Sequence, residues 1–180
     1  ATAKGDEMIS GISEMPITDE SYPFSSAERY CHLSAYGYVE REYRVDGTAN
    51  VYRTADEDGG VEVMTADAPY SNRIVVRAPK DPAQASGNVV VEIINPTSFM
   101  EIERMWILGY GEFVRSGDIY VGITSKPNTI AKLKEFNPDR YGFMSWANPT
   151  PERPFDYDPK QLERGGALPD MDISYETGLF

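Results

Sequence analysis

Three places in this 180-residue chain bring together residue types able to do chemistry. The first is Asn95-Pro96-Thr97-Ser98, a polar, proline-broken stretch that follows the apolar run Val89-Val90-Val91-Glu92-Ile93-Ile94. The second is Ser125-Lys126, directly after Ile119-Tyr120-Val121-Gly122-Ile123-Thr124. A serine beside a lysine is the minimal makeup of a Ser-Lys nucleophile pair, although Lys126 stands before Pro127 in an ordinary loop. The third is Cys31-His32, which holds the only cysteine and the only histidine. A cysteine nucleophile needs its base beside it in space, and neighbours on a strand point to opposite faces. Cys31 beside His32 therefore reads as a half-buried thiol next to a polar ring. A zinc site takes about four ligands, and neither a second Cys nor a second His exists. Asp56-Glu57-Asp58-Gly59-Gly60 is acidic, but a calcium loop needs a longer, spaced run closing on Glu. It reads as a solvated turn. No metal and no cofactor are expected.

Composition narrows the partners. With 29 acidic against 17 basic residues the formal charge is -12. Phosphate recognition needs clustered Lys and Arg, so nucleic acid is excluded, as is an anionic membrane surface. No apolar stretch approaches the roughly 20 residues that span a bilayer. The compartment stays open, and the composition suits a bacterial exported or cytoplasmic setting. Twelve Tyr, seven Phe and two Trp suit a well-packed, sheet-rich structure.

The elements that position these residues can be read from periodicity. Residues 1–35, punctuated by Pro16 and Pro23, read as an irregular arm. Tyr36 to Val45 alternates, Asp46-Gly47 signals a hairpin, and Ala49 to Arg53 is the returning strand. Val61 to Met64 is a short strand, and Asn72 to Ala78 is a further strand stopped by Pro79. Residues 88–94 are continuously apolar apart from Glu92, as in a central strand covered on both faces. Glu101 to Ser116 carries helix periodicity through Ile102, Met105, Trp106, Gly109 and Phe113. Thr97 or Ser98 suits its N-cap, Glu101 its first turn, and Gly117 its end. Gly109 and Gly111 suggest close packing against the sheet. Strand 119–124 then runs parallel to strand 88–94 by the handedness of such crossovers. Thr129 to Phe136 is a short helix and Asn137 to Gly142 a turn. Residues 147–180 are a Pro-rich loop and an unfinished C-terminal segment. Ligands of such sheets collect where parallel strands end.

The order of these segments resembles a known family. It runs from Gly37-Tyr38-Val39-Glu40 and Gly47-Thr48-Ala49 to Tyr70-Ser71-Asn72-Arg73-Ile74-Val75-Val76-Arg77-Ala78-Pro79. It continues through Asp81-Pro82, Gly87 to Asn95, Gly117 to Ile123 and Pro138-Asp139-Arg140-Tyr141-Gly142. Residues 36–146 are in this respect similar to the N-terminal part of the α/β-hydrolase domain-containing proteins, a group of serine hydrolases. The resemblance implies an α/β sheet of antiparallel strands followed by a parallel strand-helix-strand crossover. It also implies a Ser-His-acid triad whose serine stands on a sharp strand-to-helix elbow after the next strand. No G-x-S-x-G pattern occurs: Gly11-Ile12-Ser13-Glu14-Met15 lacks the last glycine and precedes the sheet. His32 also lies before the sheet.

The element that the resemblance leaves in this chain is the oxyanion loop after strand 88–95. Its donors are backbone N–H groups, which Pro96 lacks. The candidates are Asn95, Thr97 and Ser98, with Thr97 first, and Phe99 and Met100 could line an acyl pocket. Thr97 and Ser98 could equally be helix caps, and the two roles are compatible. The expectation is the N-terminal chain of a split or processed esterase, a heterodimer completed by the C-terminal remainder of the same hydrolase as a second chain. Hydrolysis of a small-molecule carboxylic ester would need that remainder. The alternative is a non-catalytic binding or structural module derived from the hydrolase fold.

Overall fold

The computed structural model describes residues 8–22, 31–54, 60–96 and 101–146. The expected features at 1–7, the acidic turn at 56–59, residues Thr97, Ser98, Phe99 and Met100, and segment 147–180 lie outside the described residues. The strands are β1 (Ile9–Met15), β2 (Tyr38–Thr54), β3 (Val61–Pro79), β4 (Val89–Ile93), β5 (Ile119–Ile123) and β6 (Ser145–Trp146). The helices are α1 (Arg104–Ser116), α2 (Pro127–Phe136) and the single turn α3 (Pro138–Tyr141). No helix among the described residues is long and apolar enough to cross a membrane. The chain divides into two compact units.

The larger unit takes residues 13–44 and 73–142 and carries the expected crossover. β4 and β5 are parallel, with Val89 opposite Ile119 and Ile93 opposite Ile123. β3 is antiparallel to β5, with Ile74 opposite Ile123 and Arg77 opposite Tyr120. Among the described residues the strands follow the order β2, β3, β5, β4, so β4 is the outermost of them rather than the central strand its apolar run predicts. An apolar run cannot by itself distinguish a strand buried on both faces from an edge strand whose outer face is uncovered.

Period-2 alternation divides this sheet cleanly. One face carries Glu42, Arg73, Val75, Arg77, Glu92 and Tyr120, all buried. Helix α1 packs on it, with Trp106 5.2 Å from the ring of Tyr120 and Phe113 stacked on the same ring at 6.5 Å. Cys31 and Tyr38 complete this aromatic cluster, and the Arg77 guanidinium lies 4.5 Å from the Trp106 ring centroid. The opposite face is exposed along β4. Val89, Val91 and Ile93 stand 53%, 58% and 57% exposed along β4, and Ile119, Val121 and Ile123 of β5 lie beside them.

Helix α1 starts three residues later than its periodicity predicts. Its N-cap is Glu103, whose side chain makes no capping bond. The cap comes from another element: Met105 donates its N–H to Glu92 Oε1 at 3.0 Å, and a carboxylate there also complements the helix dipole. Thr97 and Ser98 are thus too far upstream to be the N-cap. Gly109 sits against the Phe113 ring of its own helix, whereas Gly111 has open space where a Cβ would go. Neither is explained by packing on the sheet. Gly117 ends the helix in the left-handed conformation, as expected. Helix α2 begins two residues earlier than expected, and α3 replaces part of a turn, capped by Asn137, which accepts the Arg140 N–H at 3.0 Å.

The smaller unit takes residues 8–12, 45–72 and 143–146 among those described. The expected hairpin at Asp46-Gly47 is absent, because β2 runs straight through it. Gly47 is needed for a close approach instead. A Cβ there would lie 2.1 Å from the Met8 carbonyl oxygen, and that oxygen accepts the Thr48 N–H at 2.9 Å. Asp46 accepts a hydrogen bond from the Ser71 hydroxyl. The two predicted strands between Val61 and Pro79 are one, kinked at Asp67, whose φ of 52° is positive. Asp tolerates that conformation better than most residues, and its N–H donates to Asn50 Oδ1 at 3.2 Å. β6 pairs with β3, Trp146 opposite Tyr70. Part of the expected irregular arm is strand β1. Its apolar residues Ile9 and Ile12 are exposed, so no buried face imposed the alternation by which a strand is recognised.

Candidate functional site

The parallel pair ends in Ile94-Asn95-Pro96 after β4 and in Thr124-Ser125-Lys126 after β5. These ends are tied together. Ile94 donates its N–H to the Ile123 carbonyl at 2.9 Å, and Ser125 Oγ donates to the Ile94 carbonyl at 2.9 Å. Asn95 and Ile102 form an isolated bridge, with N–H to O distances of 3.2 and 3.0 Å in the two directions. The segment leaving β4 therefore returns to it within a few residues. The Asn95 N–H already serves Ile102, which directs the oxyanion proposal towards Thr97 and Ser98. Those two, with Phe99 and Met100, lie outside the described residues.

Ser125 and Lys126 do not form a hydroxyl-amine pair of the nucleophile kind, since the Ser125 hydroxyl is committed to a backbone carbonyl. Lys126 has φ 71° and ψ 138° and precedes Pro127 at the start of α2. That conformation costs a non-glycine residue about 1–3 kcal/mol. Cys31 precedes a short 3-10 turn rather than lying on a strand. Burial pushes its thiol up, against a smaller opposing pull from the Arg77 charge, so it is kept from the nucleophilic thiolate form.

Beside the strand ends lies a buried charge cluster that periodicity and motif reading did not single out. Arg73 of β3 donates from Nε to Glu42, and from Nη1 to Glu101 Oε2 at 2.6 Å and Thr124 Oγ1 at 3.2 Å. Thr124 in turn donates to Glu101 Oε1 at 2.5 Å. Glu42 also accepts from Arg140 and from the Tyr141 hydroxyl at 3.0 Å. One strand turn away, Arg77 donates to Glu40 at 2.8 Å and to Glu103 at 3.0 Å. Glu92 receives the Tyr120 hydroxyl at 2.7 Å. Among the described residues two arginines, Arg73 and Arg140, thus oppose two carboxylates, Glu42 and Glu101. Such balance is what makes buried charge tolerable. A signal for it existed: Arg73, Val75 and Arg77 share one face of an otherwise apolar strand, and Glu40 and Glu42 share one face of β2.

The electrostatics agree with the geometry. Burial works to raise the Glu42 carboxyl, but the Arg73 charge and hydrogen bonds from Arg140 and Arg73 outweigh it and hold the group below the usual carboxylate range. Burial works to lower the Arg73 pKa, and the charges of Glu101 and Glu42 raise it instead. A folded-state pKa below the unfolded one stabilises the fold above the unfolded value, and that contribution disappears as pH falls through the folded value. The melting temperature is therefore expected to fall as the pH drops below the ordinary carboxylate value of 4.5. Glu42→Gln should be less stable near neutrality yet show a shallower acid slope. Thermal melts followed by circular dichroism from about pH 7 to about pH 3 measure this, and parallel profiles for the two proteins would rule it out.

A family model described as an alpha/beta hydrolase domain matches residues 12–176. No curated protein and no solved structure matches the chain.

Proposed function

The chain belongs to the alpha/beta hydrolase domain family, and from that premise we propose that it is the front part of a serine esterase completed by the remainder of the same hydrolase. In this reading the Ser-His-acid triad lies on a polypeptide outside these 180 residues. This chain contributes backbone donors to the oxyanion hole, Thr97 first, with Ser98 beside it, and a pocket wall from Phe99 and Met100; the Asn95 N–H, bonded to Ile102, holds the base of that loop. The partner's serine oxygen attacks the ester carbonyl while its histidine takes the proton. The oxyanion rests on N–H groups of the loop after β4, the alcohol departs with the proton, and water then hydrolyses the acyl-enzyme. One donor of this kind accounts for about 10²–10³ in rate.

The observation that supports this reading is the state of β4. Among the described residues it is the edge strand, its outward row Val89, Val91 and Ile93 is apolar and exposed, and its C-terminal end leads into the polar loop. Exposed apolar sheet faces and open edges are sites of association. The family's next parallel strand, the one that carries the nucleophile elbow, would find both backbone partners and an apolar surface there.

A serine-directed phosphonate applied to this chain together with its completing polypeptide, followed by denaturing intact mass, tests the proposal. The label is expected on the partner. Label on this chain, or on neither, would refute the split-hydrolase reading. No label on a folded, stable chain would favour a non-catalytic binding or structural module.

A further inference from the structure

We propose that Glu101 is a positioning residue for the strand-end site, clamping Ile102, and through its bridge Asn95, onto the end of β5. The clamp is defined by side chains on three elements. Glu101 directly precedes Ile102, the residue at which the segment returns to Asn95. Its carboxylate is buried and, among the described residues, accepts from Thr124 Oγ1 at 2.5 Å and Arg73 Nη1 at 2.6 Å. Thr124 follows β5, and Arg73 is held on β3 by its second carboxylate, Glu42. The neighbouring Ser125 hydroxyl grips Ile94, the residue before Asn95. The ends of the two parallel strands are thus joined at a backbone carbonyl on one side of the bridge and at a carboxylate on the other.

Charge balance alone would need only the contact with Arg73. The additional bond from Thr124 gives the carboxylate a fixed orientation, since two donors on different strands determine where both oxygens lie. Strand-end donors are useful only if they are held in place: a misplacement of about 1 Å can cost about 10² in rate. A charge-assisted, desolvated bond from each of two strands is a stiff way to hold them. The catalytic meaning of the clamp rests on the esterase reading, whereas its mechanical meaning does not.

Amide exchange by NMR on the 180-residue chain tests the mechanical part. Glu101→Gln, which keeps the shape, and Thr124→Val, which removes only the hydroxyl, should each speed exchange at the Asn95 and Ile102 amides by about tenfold or more through local opening. Amides in the middle of β3 and β5 should keep their wild-type rates. In the assembled hydrolase the same variants should lower kcat by about tenfold or more with KM unchanged, the pattern of an interaction made only in the transition state. Slow exchange retained at both amides, or faster exchange spread evenly through β3 and β5, overturns the clamp. Loosened amides with unaltered kcat overturn its catalytic role. Absence of turnover from the wild-type assembly overturns the esterase reading, and the exchange rates alone then decide the clamp.

Discussion

Arg73→Met is expected to destabilise the chain by about 3–5 kcal/mol, the cost of removing one partner from a buried ion pair while the other stays. Arg73 is 1% exposed and contacts two carboxylates, Glu42 and Glu101, that are equally buried. After substitution Glu42 keeps Arg140 and the Tyr141 hydroxyl. Glu101 keeps the neutral Thr124 hydroxyl but loses the Arg73 charge, and part of the loss comes from there. Arg73→Met combined with Glu101→Gln should recover much of it, because a neutral amide no longer needs a cation. Arg73→Lys should fall between, since one ammonium cannot match the planar fork that reaches two carboxylates. Urea titrations followed by circular dichroism give the order directly. A loss below about 1 kcal/mol, as for an exposed pair, or no recovery in the double variant, would show that the cluster is solvated and that its geometry does not govern the fold.

The same cluster explains which parts of the molecule the sequence reveals. The parallel crossover was legible because each piece had a local signature: a short apolar run, a helix with apolar residues at three- and four-residue steps, and a second run after Gly117. Asp46-Gly47 reads as a hairpin, although β2 runs through it, because the residue pair suits two physical needs. A turn needs positive φ, whereas Gly47 is extended and admits the carbonyl of Met8, which lies 39 positions away in sequence. The start of α1 is hidden in the sequence for a similar reason. Capping by Glu92 comes from a strand rather than from the preceding residues, so no local cap marks the boundary. Glu101 looked like a first-turn acid favoured by the helix dipole, but it lies before the helix and pairs with a residue on β3. In each case the decisive partner is distant along the chain. The alternation of Arg73 and Arg77 on a buried strand face was the one local hint that buried acids must lie opposite. It states the need for carboxylates without saying which of the chain's 29 acidic residues supply them.

Val91→Lys should leave the fold of this chain almost untouched and weaken its association through β4. Val91 is the middle residue of the exposed row Val89, Val91 and Ile93, opposite Val121 of β5. An exposed substitution of this kind changes stability by no more than about 0.5 kcal/mol. Covering the row is another matter. Fully burying a valine side chain contributes about 1.5–3 kcal/mol; the 58% of Val91 that is exposed stands to gain a little over half of that, which lysine forfeits, and its ammonium must either stay solvated or be desolvated at further cost. At about 1.4 kcal/mol per decade, the apolar loss alone weakens association by about 4-fold to 20-fold. A lysine on an edge strand is also a device by which proteins prevent strand addition. Val63→Lys is the control, because Val63 is comparably exposed but lies on β3 in the smaller unit. Sedimentation velocity with the completing polypeptide, or of the chain alone if it self-associates, compares the three proteins. Selective loss of the complex in Val91→Lys marks β4 as the strand on which the sheet is extended. Equal behaviour of the two lysine variants would place the association elsewhere and remove the main support for the split-hydrolase reading.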